Sequence, residues 1–352
     1  MILKTFGWSF VITVIALVGA LVLGGPTALA LVAILSVLEV SLSFDNAVVN
    51  ATILERMSDF WQRIFLSVGI VIAVFGMRLV FPLLIVGLTA HLGPHEVVRK
   101  ALAGGSIQEP GTYANLLHHA QPSIAAFGGV FLLMLFLDFV LEDREIAWLT
   151  WLERPLATVG KLDQLAVVVT VVALVVVARA FAPDPGTVMV AGALGLVTYL
   201  LVNGLGGLFE QAGGPDGPTG VAKATGRAAF FLFLYLEVLD ASFSFDGVIG
   251  AFAITQDIFV IAVGLGVGAL YIRSITIYLV RRGTLSDYVY LEHGAMWAIG
   301  ALAVILLVSI KHEVPEVVTG LIGVGFILVA FVSSLIRNRR LPAEERRGVG
   351  VG

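Results

Sequence analysis

The sequence predicts an all-α polytopic membrane protein, and three observations carry that prediction. Of its 352 residues, 59% are hydrophobic and 13% charged, where a soluble domain carries about 25% charged residues. The apolar residues fall into ten runs of bilayer-spanning length. The chain also matches itself at an offset of 201 residues, at positions that membranes disfavour.

The runs lie near 6–24, 28–54, 62–90, 122–142, 163–181, 187–206, 227–255, 257–280, 288–310 and 314–336. Several exceed the roughly 20 residues a crossing needs, so tilts or breaks are expected. Ala28-Leu29-Ala30 has the form of a signal-cleavage site, but a retained first span suits the charges better. With the N-terminus cytoplasmic, fifteen of the 21 Lys and Arg fall inside, and only Arg99, Lys100, Arg179 and Lys311 fall outside. Arg78 and Arg273 lie within spans. This is a positive-inside pattern, and it predicts a multi-pass inner-membrane protein with both termini cytoplasmic. A span added or lost near the middle would spoil it.

Residues 1–206 read as the N-terminal repeat of five spans plus the first span of the second. Residues 207–226 read as a cytoplasmic Gly/Pro-rich linker, and 227–336 as the remaining spans of the C-terminal repeat. Residues 337–352 read as a mobile cytoplasmic tail. An outer loop, 91–121, carries His91, His95, His118 and His119. Gly93-Pro94 separates the first two and spoils a helical i,i+4 pair, so the loop reads as ordinary solvated chain.

Cysteine is absent, which excludes disulfides, thiolate metal sites and cysteine nucleophiles. A formal charge of -4 with no basic aromatic patch speaks against a nucleic-acid partner. No Gly-x-Ser-x-Gly or His-Glu-x-x-His motif is present. Neither an enzyme nor an organic cofactor is expected.

At the offset of 201, Val37-Leu-Glu39-Val-Ser41-Leu-Ser43-Phe-Asp45 falls on Val238-Leu-Asp240-Ala-Ser242-Phe-Ser244-Phe-Asp246. Arg78 follows Asp45 by 33 residues and Arg273 follows Asp246 by 27, and the difference of six is assigned to the loops 55–61 and 256–257. The motifs fall in spans two and seven, an odd number apart. The halves therefore enter the membrane in opposite directions: two inverted repeats of five spans, with broken helices at the acidic motifs and a site near the midplane.

An aspartate at the centre of a spanning helix costs about 2.5–3.5 kcal/mol on insertion scales. Glu39, Asp45, Asp138, Glu237, Asp240 and Asp246 all lie within spans, against only two arginines. The unpaired acids need protons, water or a cation. Six residues separate Glu39 from Asp45, about 600° of regular helix, so they cannot share a face. Serines and Asn46 compete for backbone hydrogen bonds, so a break is expected between Ser43 and Asp45, where carboxylates, hydroxyls and carbonyls converge. An all-oxygen donor set suits hard or borderline divalent cations such as Mn²⁺, Ca²⁺ or Mg²⁺. Arg78 and Arg273 read as counter-charges, and Glu237 and Asp138 as proton-coupling or structural acids.

At these residues the sequence resembles the TerC family of integral membrane proteins, whose hallmark is a duplicated acidic motif with Ser-x-Asp-Asn followed by a span with arginine. Glu39-Val-Ser-Leu-Ser-Phe-Asp45-Asn46 matches it closely, and Asp240-Ala-Ser-Phe-Ser-Phe-Asp246-Gly247 is a variant with glycine for asparagine. The resemblance implies a metal-ion transporter, with manganese export favoured and Glu39, Asp45, Asp240 and Asp246 as ligands supported by Asn46, Ser43 and Ser244. Two rivals stand beside it. One is a membrane assembly factor stabilised by metal without transport. The other is an intramembrane aspartyl enzyme, disfavoured because neither motif has the Gly-x-Gly-Asp pattern.

Overall fold

A computed structural model describes residues 2–144, 146–162, 164–211, 224–282, 288–312 and 314–340, excluding the side chains of 2–4, 42, 205–211, 245, 246, 249, 253, 282, 316 and 317. Among the described residues the regular structure is helical, apart from one β-type bridge between Met57 and Ala224. The helices are α1 (Ile2–Leu42), α2 (Phe44–Leu54), α3 (Asp59–Val71), α4 (Phe81–Thr89), α5 (Pro94–Ala103), α6 (Tyr113–Leu141), α7 (Thr150–Val159), α8 (Leu165–Ala180), α9 (Pro185–Gln211), α10 (Gly226–Ile254), α11 (Ile258–Arg282), α12 (Leu291–Ser309) and α13 (Glu316–Arg340). A π-helical stretch, Ile72–Val80, joins α3 to α4. Seven helices among the described residues are long and apolar enough to cross a membrane. The protein is an all-α, multi-pass membrane protein.

Helix α1 is interrupted at Gly25, whose φ of 74° and ψ of -171° lie outside the helical range, and Pro26 follows. Glycine takes such a φ without steric cost, and proline has no N–H to continue the ladder. Before the break, Ser9 bonds Ser274 at 2.9 Å and Thr13 bonds Tyr271 at 3.2 Å, so contact moves toward the start of α11 as the chain advances. After the break, Ser36 reaches the Gly264 carbonyl and Glu39 packs on Gly268, so contact moves the other way. The two segments of α1 thus run in opposite directions along α11.

The first acidic motif breaks at Ser43, with φ -101° and ψ 16°, between α1 and α2. The second does not: α10 passes through Ser242, Ser244 and Asp246 without interruption. The expectation of a break at both motifs is corrected for this copy. Ser242 returns its hydroxyl proton to the Val238 carbonyl four residues back, at 2.9 Å, which satisfies serine inside an unbroken helix.

One end of the bundle gathers 55–58, 142–162, 224–225 and the start of α12. There Arg56 and Arg144 meet Glu292, Ala224 pairs with Arg56 and Ser58, and Glu153 meets His293. The other end gathers α5, the start of α6 and the segments after α8, α10 and α12. There Tyr113 packs on Phe252, and Phe181 on His312. The core of the bundle runs between these ends through α2, α6, α10 and α12. The outer faces are apolar and bare, as at Leu23 (91% exposed) and Trp8 (78% exposed), which suits contact with lipid.

Other sequence expectations need correction. Residues 91–121 are not simply a loop: α5 lies there with Val97 and Ala101 buried, and α6 starts at Tyr113, so His118 and His119 are helical. Thr112 caps α6 by accepting from the Asn115 amide. The loops after the two motif helices, 55–58 and 255–257, differ by one residue rather than six. Most of the remaining difference is one extra turn at the start of α3: Asp59 precedes Gly69 by ten residues, whereas Ile258 precedes Gly264 by six. Helix α9 extends to Gln211, into the expected linker, and residues 212–223 lie outside the described residues. Arg337–Arg340, expected in the mobile tail, continue α13, where basic side chains favour a helix C-terminus. Residues 341–352 lie outside the described residues.

Candidate ion site on the paired acidic motifs

Each acidic motif is answered by the arginine of the following span. Glu39, 4% exposed, forms an ion pair with Arg78 through Oε1, which also accepts from Ser43 Oγ at 3.3 Å. Arg78 sits in the π-helical stretch and donates to the Ala73 carbonyl at 2.7 Å. In the second half, Arg273 binds Glu237 with both terminal nitrogens at 3.0 Å and Asp240 at 3.3 Å. The Arg273 guanidinium also lies 4.0 Å over the Phe65 ring, a cation–π contact that helps hold a desolvated charge.

The pairs are built reciprocally. Ser36 of the first half bonds the Gly264 carbonyl of the second at 2.9 Å. Glu237, which stands at the position of Ser36 in the second copy, lies against Gly69, which stands at the position of Gly264 in the first. A Cβ at Gly69 would collide with the Arg273 guanidinium and stand 2.9 Å from Glu237 Oε1. The absence of a side chain there lets α3 approach the charged cluster.

Asp45 has a different environment. It lies in the first turn of α2, 8% exposed, just past the break at Ser43. Its Oδ1 is buried with no hydrogen-bond partner among the described residues, and the carboxylate abuts Gly323 of α13. The N-terminus of α2 favours the charge, but among the described residues no cationic side chain pairs with it. Asn46 beside it is buried, and Asn50 has a buried Oδ1 without a partner. Ser244 is buried on α10; the Asp246 side chain lies outside the described residues.

Glu39, Ser43 and Arg78 come together, as do Glu237, Asp240 and Arg273, and among the described residues no hydrogen bond or ion pair joins Asp45 to either group. Among the described residues no three acidic or histidine side chains form a metal cage, and the four histidines of 91–121 form none. The oxygen donors alone fit a hard cation, but two of them are held by arginine. Asp138, on α6, accepts from the Tyr199 hydroxyl at 2.6 Å.

A protein family described as "Protein of unknown function (DUF475)" matches the chain over residues 44–341. The chain belongs to the DUF475 family. No curated protein and no solved structure matches it. The DUF475 match includes Asp45, Arg78, Glu237, Asp240, Asp246 and Arg273, and starts five residues after Glu39.

Sequence reasoning missed a second polar cluster in this DUF475 protein. Glu153 on α7 accepts from His293 at 3.2 Å, the Trp297 indole at 3.0 Å and the Trp148 amide at 2.9 Å. Burial alone would raise its pKa, but the hydrogen bonds from His293 and Trp297, the His293 charge and the Trp148 amide outweigh it and hold the carboxyl at about 2. Glu153 lies on a short amphipathic helix between spans, so hydropathy gave no reason to single it out.

Proposed function

We propose that this DUF475 protein is a secondary transporter that carries a divalent cation, with Mn²⁺ favoured, outward across the inner membrane. Ten spans in two inverted repeats of five, with both termini cytoplasmic, form its scaffold. The reversal at Gly25 supports two crossings within α1. The reciprocal pairs Ser36–Gly264 and Glu237–Gly69 support a two-fold relation between halves. The end of the bundle that holds Arg56, Arg144 and Ala224 is the end assigned inside by the positive charges. The resemblance of both motifs to TerC supports the same reading.

The observation that carries the proposal is Asp45. A carboxylate in the membrane with a buried oxygen unpartnered among the described residues is costly, and a purely structural role would have selected a partner or a neutral residue. Its place at a helix break between facing halves is where inverted-repeat transporters bind their ions. In the absence of cation, Arg78 pairs with Glu39, and Arg273 with Glu237 and Asp240. A cation ligated by Asp45, Asp246, Glu39 and Asp240 would compete with those arginines, and Asn46, Ser43 and Ser244 would supply neutral oxygens. Proton exchange at the carboxylates would keep the site near neutral on the return step, with Glu237 and Asp138 as further proton acceptors.

The test is divalent-metal flux in proteoliposomes, with Mn²⁺, Ca²⁺ and Mg²⁺ each offered, for wild type, Asp45→Asn and Asp246→Asn. Flux of one ion that is lost in both folded variants, and that responds to an imposed pH gradient, supports the proposal. No flux of any ion, together with stabilisation by metal, would instead favour an assembly factor and sink transport.

A further inference from the structure

The two copies of the acidic motif differ in a compensating way. The first has the longer acid, Glu39, and Asn46 after its aspartate; the second has the shorter Asp240 and Gly247. Glu39 Oε1 is committed to Arg78 and Ser43. Its Oε2 has no hydrogen-bond partner among the described residues and faces Gly247 of the opposite half, where a Cβ would stand 3.1 Å away. On the other side, the stem of Glu39 fills space that a Cβ on Gly268 would occupy. Glu39 thus spans the interface between halves, buried along its length, with one carboxylate oxygen spoken for and the other aimed at the backbone of the second motif.

We propose that Gly247 is a specificity-determining residue of the cation site: its missing side chain keeps Glu39 Oε2 open to ligate a divalent cation between the two motifs. An asparagine there, as in the first copy, would set an amide donor against Oε2 and engage the lone pairs a cation uses. A methyl group would force the carboxylate aside by a few tenths of an ångström. An acid shorter by one methylene, as Asp240 is in the other copy, would leave room for an asparagine at this position. The inference rests on the transport reading for the class of ligand, and adds which oxygen is available and what keeps it so.

The test is Mn²⁺ binding to the purified full-length chain by titration calorimetry, with metal-free unfolding measured in parallel. The proteins are wild type, Gly247→Ala, Gly247→Asn and the double variant Glu39→Asp/Gly247→Asn. Gly247→Asn should weaken binding by about tenfold or more, the loss expected when one charged ligand contact is blocked. Gly247→Ala should fall between it and wild type, and the double variant should recover most of the affinity. A general packing defect would not be rescued by shortening Glu39, so a double variant no better than Gly247→Asn overturns the inference. So does unchanged affinity in Gly247→Ala, which decides the matter alone if the asparagine variant fails to fold. If wild type binds neither Mn²⁺, Ca²⁺ nor Mg²⁺, it is the transport reading that fails.

Discussion

Arg273 should be the most sensitive charged residue in the protein. It is 1% exposed and serves two carboxylates, Glu237 through two bonds of 3.0 Å and Asp240 through one of 3.3 Å. Replacing it with methionine fills most of its volume but leaves both acids buried without a cation. Removing one partner of a buried ion pair costs about 3–5 kcal/mol, which is about 150-fold or more in the folding equilibrium. Arg78→Met strands only Glu39 and should fall at the lower end of that range. The stranded charge, rather than lost packing, is the source of the cost, so Arg273→Met/Glu237→Gln/Asp240→Asn should return close to wild type. The five tryptophans give a fluorescence readout of reversible denaturant unfolding in detergent. The reasoning is refuted if Arg273→Met unfolds at the wild-type denaturant concentration, or if the neutral triple variant is no more stable than the single one.

Two further outcomes follow from the same geometry. Gly69→Ala should cost about 1–3 kcal/mol, because its Cβ would meet the Arg273 guanidinium and Glu237; Gly325→Ala, with open space around it, is the control, and equal unfolding midpoints for the two would refute the close-packing account. Glu153 has its folded pKa held at about 2, below its ordinary 4.5, so its stabilisation is complete above about pH 4.5 and is lost as pH falls toward 2. Wild type should therefore show an acid transition in Trp297 fluorescence that Glu153→Gln lacks; the same transition in both would assign it to another group.

The sequence revealed the parts of this protein that follow from solvent and charge. Apolar runs gave the helices, and the cost of acids in a membrane drew attention to Glu39, Asp45, Glu237 and Asp240 and to their arginines. It did not reveal where a helix breaks. Ser-x-Ser-Phe-Asp occurs in both copies, yet only Ser43 interrupts its helix, because the serine hydroxyl can satisfy itself locally in either conformation and tertiary packing decides. Nor did it reveal the π-helical stretch carrying Arg78, since Ile72–Val80 has the composition of any spanning segment. The pairing of Glu153 with His293 and Trp297 depends on a fold that brings α7 against α12, a contact with no periodic signature.

The differences between the halves bear on how such a site could work. Under the transport reading, identical repeats would hold their acids equally and prefer neither end of the cycle. The second half keeps a continuous helix and binds two acids to one arginine in a bidentate cluster braced by Phe65. Among the described residues the first half has one acid on its arginine, a broken helix and, just beyond the break, a carboxylate with no cationic partner. Breaking a bidentate buried cluster costs more than turning a short half-helix about a single irregular residue. Motion should therefore concentrate at Ser43 and α2, with α10 and α11 as the fixed frame. Under the transport reading, Asp45 is the ligand that moves with the half-helix, while Asp240 stays with the frame.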